Sequence, residues 1–155
     1  METHLSYPLL AYFRSQHDHQ SWIAAITVIL DVCALSLAGL KGKTSHQARL
    51  TFAIARHAVV DLSQVFHAEP RAPESDRLGP DEWQELIVVL AEVGVSPASP
   101  DLVEARLREL RALYEPYAQA LADYLEFSLP PWLPSPTALD DWQTSASAHQ
   151  QAVVD

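Results

Sequence analysis

The chain has 155 residues, 48% of them hydrophobic, and sets 10 Lys plus Arg against 20 Asp plus Glu for a net charge of -10. That length suits one domain burying about 70% of its unfolded surface, and the apolar content rules out a disordered tail. The acidity repels phosphate backbones and anionic bilayers and no basic patch offsets it, so neither nucleic acid nor a membrane surface is an expected partner; Cys33 is the one cysteine, which excludes an internal disulfide and points to a reducing compartment.

No basic stretch followed by an apolar run opens the chain, so no signal peptide is expected. The first predicted helix runs from about His4 to Gln16, with Pro8 at its start or at a kink. A polar stretch, FRSQHDHQSW from Phe13 to Trp22, separates it from a second helix over Trp22–Leu40, capped by Ser21 and closed by Gly39 and Gly42. This second segment is long enough to cross a bilayer, but Asp31 at its centre would cost about 2.5–3.5 kcal/mol there, so a buried core helix is the expected form.

A third helix, capped by Thr44 or Ser45, reaches about His67. The Pro-rich charged loop Glu69–Pro80 follows. Pro80 at the first helical position, with Asp81 and Glu82 behind it, opens a fourth helix that Gly94 closes. Ser99-Pro100-Asp101 opens a fifth in the same way. Along it Val103, Leu107, Leu110, Tyr114, Tyr117, Leu121 and Tyr124 alternate steps of four and three, which predicts one apolar stripe on one helix kinked at Pro116. Past Leu129 the segment PPWLPSP cannot be helical. The expected fold is an all-α compact bundle of about five helices over residues 1–129, with a Pro-rich tail over 130–155. Trp132 and Trp142 should dock part of that tail, and its last ten residues are expected to be disordered.

The polar residues inside this apolar frame need partners. The second helix carries a line of small and polar positions, Ala24, Thr27, Asp31, Ala34 and Ala38, along which another helix can approach closely. A buried carboxylate there must be paired. Counting back from the short turn around Lys41–Ser45 sets Asp31 near Arg56 and predicts an Asp31–Arg56 ion pair across an antiparallel hairpin or, failing that, a pair between Asp31 and another cation or donor. His57 and Asp61 stand one turn apart and can share a hydrogen bond. Arg14, His17 and Asp18 join them only if the first turn folds over that end of the hairpin. These seven residues are expected to form a structural polar network. A small-ligand sensor site is one alternative. A second is a small helical metal-binding or hydrolase-like protein using His17, Asp18, His57 and Asp61, which would need three or four ligands to converge. No cofactor is expected: the 4 glycines supply no phosphate loop, no Gly-x-Ser-x-Gly elbow occurs, and Cys33 lies in an apolar helix where thiols are inert.

Three segments, HLSYPLLAYFRSQHDHQSWIAAITVILD, ARLTFAIARHAVVDLSQVF, and the terminal PPWLP with DDWQTSA, together resemble the cytoplasmic C-terminal region of bacterial two-transmembrane potassium-channel-like proteins. The resemblance spans nearly the whole chain. It implies a soluble, non-enzymatic regulatory or assembly domain on the cytoplasmic side of the inner membrane, associated with the pore segment of the same full-length protein. It also implies a homo-oligomer, because pores assemble about an axis. The sequence from METHLSYP onward contains no selectivity filter of the Thr-Val-Gly-Tyr-Gly type, so conduction by this chain itself is not expected.

Overall fold

A computed structural model describes residues 21–39, 45–73, 75–97 and 99–133. The described residues form an all-α bundle of five helices without strands: α1 Trp22–Ala38, α2 Ser45–Val65, α3 Pro80–Glu92, α4 Pro100–Arg111 and α5 Glu115–Tyr124. No helix among them is long and apolar enough to cross a membrane. The helix expected over His4–Gln16 and the tail beyond Leu133 lie outside the described residues.

α1 is the central helix and packs against α2, α4 and α5. Its sequence carries a single charge, Asp31, and Ser21 starts it by accepting the Ala24 N–H at 3.1 Å. Ile23, Thr27, Leu30, Asp31 and Ala34 are buried, so the small-and-polar line faces inward. The Thr27 hydroxyl is satisfied within the helix by donating to the Ile23 carbonyl at 2.7 Å. Gly39 ends α1 at φ 149°, and a β-carbon there would stand 2.8 Å from Val103 Cγ2. Glycine thus lets the end of α1 close onto α4.

α2 presents Phe52, Ala55 and Val59 to the core and Phe66 just past its end does the same, while α3 is held by buried Trp83 and Leu86. α3 starts with Pro80 and two acidic residues at the positive end of its dipole. It stops in a paired motif in which Val95 N–H reaches the Leu90 carbonyl and Gly94 N–H the Ala91 carbonyl. The same double bond closes α2 through His67 and α5 through Glu126, non-glycine residues held at φ 54° and 58°.

The single fifth helix of the sequence reading is two helices. Pro116 has no N–H and its ring clashes with the carbonyl four residues back, so the helix stops at Arg111 and restarts at Glu115 with Pro116 in its first turn. The break shifts the buried face. Val103, Leu107, Leu110, Tyr114 and Leu121 stay in the core, but after the restart Ala118, Ala122 and Leu125 are buried, and Tyr124 turns outward. Phe127, Leu129, Trp132 and Leu133 then lie against the core as the chain leaves α5.

Candidate functional site

The α4–α5 break brings a cluster of ionisable side chains into the interior. Tyr114, in the turn between the two helices, is fully buried, stacks edge-on against Phe52 with centroids 5.9 Å apart, and donates its hydroxyl to Asp31 Oδ1. Arg77, from the loop before α3, meets the same carboxylate from the other side: Nη2 lies 2.6 Å from Oδ2 and Nη1 3.3 Å from Oδ1. Nη1 also reaches Glu115 Oε1 at 2.9 Å, and Nε and Nη2 donate to the Pro130 carbonyl at 3.0 and 2.8 Å. One guanidinium therefore joins α1, the start of α5 and the departing tail. Its planar fork permits this, where an ammonium could not hold the same set of directions.

A second guanidinium extends the cluster. Arg111, the last residue of α4, donates through Nε to Glu115 Oε1 at 3.0 Å and through Nη2 to Asp76 Oδ1, and it lies 5.6 Å from the Trp132 ring centroid. Asp76 Oδ1 also accepts the Leu78 N–H at 3.0 Å, which shapes the loop that delivers Arg77. The side chains of Asp31, Arg77, Arg111 and Glu115 are all less than a tenth exposed, whereas that of Asp76 is half exposed. Three carboxylates face two guanidinium groups, a surplus of one negative charge when all are ionised.

The electrostatics follow from that surplus and from burial. Burial pushes the Asp31 carboxyl above its ordinary range, against the hydrogen bonds and charge of Arg77 and the Tyr114 hydroxyl. Burial and the adjacent Asp31 charge push the Tyr114 phenol far up, so it remains a proton donor. Burial opposes ionisation of Asp76 and Arg111 too, but their mutual bond outweighs it: the Asp76 carboxyl is held below its ordinary range, and Arg111, bonded also to Glu115, is held above its own. Each buried charge is thus committed to another. Such an arrangement can hold elements in register.

The residues singled out in the sequence fall differently. Asp31 is the core of the cluster, but the expected Asp31–Arg56 pair does not form. Ala55 takes the inward position on α2, and Arg56, about 100° further round, points to the α4–α5 turn and donates to the Leu113 carbonyl at 3.0 Å. His57 and Asp61 do pair, Nε2 to Oδ2 at 3.1 Å, but on the exposed outer face of α2 with side chains 75% and 51% accessible. They are not drawn into the Asp31 cluster. Arg14, His17 and Asp18 lie outside the described residues. Among the described residues no three His, Cys, Asp or Glu converge as metal ligands. Sequence reasoning missed Arg77, Arg111, Glu115, Asp76 and the role of Tyr114. The one available signal was that two of them, Arg111 and Glu115, are a charged pair one turn apart at the foot of a proline.

Two shallow adjoining depressions of about 390 and 480 Å³ lie near the end of α2, sharing His67, Ala68 and Glu69. None of the cluster residues lines them. Comparison with protein-family models, with curated proteins and with solved structures finds no match to this chain.

Proposed function

We propose that this chain is a regulatory or assembly domain of a bacterial potassium-channel-like membrane protein, acting without catalysis beside the pore segment of the same full-length protein. The observation that carries the reading is the convergence of the three resembling segments on one ion cluster. Asp31 ends the first segment and Pro130 begins the third, and both bind Arg77. The second segment is α2, whose Phe52 packs on the Tyr114 that also holds Asp31. Segments far apart in the chain are thereby tied into one unit.

A unit of this kind suits a domain that responds by changing its packing against neighbouring subunits. A ligand or a partner subunit biases such a domain only by contacting one arrangement better than another. On this reading the charged cluster is the rigid hub, and the regulated contacts lie on the outer helix faces. Assembly about a pore axis makes a homo-oligomer the expected state.

The reading frame upstream of residue 1 in the source genome tests the proposal. Two membrane spans flanking a selectivity filter, in frame with this chain, support it; an upstream frame coding for neither overturns it. Sedimentation of the chain across a dilution series tests the assembly part separately. A species at a multiple of the monomer mass supports self-association, and a monomer at every concentration removes it.

A further inference from the structure

α1 lacks the polar face that a surface helix carries. Its exposed positions before Gly39 are Ala25, Val28, Ile29 and Val32, with Val28 46%, Ile29 45% and Val32 58% accessible. Their spacing of three, one and three puts them on one stripe. On α4, by contrast, the exposed positions include Arg106, Arg108 and Glu109, which suit water. The only charge of α1, Asp31, is turned inward. The stripe is therefore built for a packing partner.

We propose that residues 5–13 of this same chain cover the stripe, laid antiparallel along the first three turns of α1. The place where the segment joins supports this. Residue 20 adjoins Ser21, the cap of α1, and the stripe begins one turn further on at Ala25. His17–Gln20 are four polar residues between the predicted first helix and Ser21, within the usual span of a helix–helix connection. Reach supports it too: His4–Gln16 as the helix its pattern predicts rises about 20 Å, while Ala25 to Val32 rises about 10 Å.

The chemistry of the segment matches. Leu5, Leu9, Tyr12 and Phe13 follow steps of four, three and one, and no acidic residue lies between Leu5 and Phe13. A second copy is the competing occupant. Two copies bring together chains of net charge -10 each, whereas the linked segment acts at high effective concentration without that repulsion. This docking does not rest on the channel reading and can fail without it.

The test places the photocrosslinker p-benzoylphenylalanine at Val28, and separately at Val32, in the full chain. Circular dichroism confirms that each protein is folded before irradiation, and peptide mapping locates the crosslink. The expected product runs at monomer mass and joins each position to residues 5–13, with the Val32 crosslink nearer the N-terminus than the Val28 crosslink. A crosslinked dimer overturns the proposal in favour of a second copy. A crosslink to any other segment, or none from either position, overturns it as well.

Discussion

Two sets of Arg–carboxylate pairs in this molecule have the same contact geometry and opposite consequences. On the outer face of α4, Arg106 meets Glu109 and Arg108 meets Glu104, each at 2.6 Å. Inside, Arg77 meets Asp31 at the same 2.6 Å. The outer guanidinium groups are 57% and 67% exposed, so water replaces either partner with little loss. The inner groups have surrendered their water, and their hydrogen bonds go to one another, to the Tyr114 hydroxyl and to the Pro130 carbonyl. Distance alone does not rank an ion pair; what stands ready to replace the partner does.

The sharpest way to break the comparison is Arg77→Met. It leaves the Asp31 and Glu115 carboxylates buried side by side and frees the Pro130 carbonyl, and a loss of about 3–5 kcal/mol is expected in urea unfolding. A loss below about 1 kcal/mol would place Arg77 with the surface pairs. Tyr114→Phe removes one hydroxyl from a buried carboxylate that keeps its guanidinium, so about 1.5–3 kcal/mol is expected by the same measurement.

Asp76 is the intermediate case, half exposed and bonded to buried Arg111, and its effect is read through pH. Its folded pKa lies below the unfolded value of 3.8, so its contribution is present above that pH and is lost as pH falls through the folded value. Asp31 runs the other way: its raised folded pKa favours the protonated fold, and that contribution fades as pH rises through the folded value. Asp76→Asn should therefore flatten the acid side of a Tm-against-pH curve. An unchanged acid limb would show that the Asp76–Arg111 bond does not persist in solution.

Arg108→Ala is expected to change stability by less than about 0.5 kcal/mol, and by less still at high salt. The smallest effect should come from a chelator. Tm is expected to stay unchanged on adding it, and a fall reversed by zinc or manganese would instead join His57 and Asp61 to ligands beyond the described residues.

The helical frame was legible because its signals are local. Ser21, Pro80, Gly94 and Pro100 mark helix ends through backbone chemistry that needs no partner. Asp31 was legible as a buried group in need of a cation, since an unpaired carboxylate in an apolar helix is too costly to stand. The identity of that cation was not legible. Arg77 sits in a Pro-rich loop where no periodicity fixes direction, and the nearer Arg56 satisfied a register argument that a single residue's rotation undoes. The break at Ala112–Tyr114 was misread because a proline permits either a kink or a stop, and the choice here coincides with the tertiary bonds of Arg111, Tyr114 and Glu115. Similarly, His67 and Glu126 end helices in a conformation that sequence reading assigns to glycine.

The reach of Arg77 across the chain has a consequence in time. Its bonds join residues separated by 46, 38 and 53 positions, and the Tyr114–Asp31 bond spans 83. The α1–α2 hairpin closes a far shorter loop and is positioned to form first, with loop-closure entropy delaying the ion cluster. Bonds completed after the rate-limiting barrier govern escape from the native state more than arrival at it. The cluster would then act as a catch on unfolding: weakening it shortens the lifetime of the folded chain while leaving the refolding rate nearly unchanged.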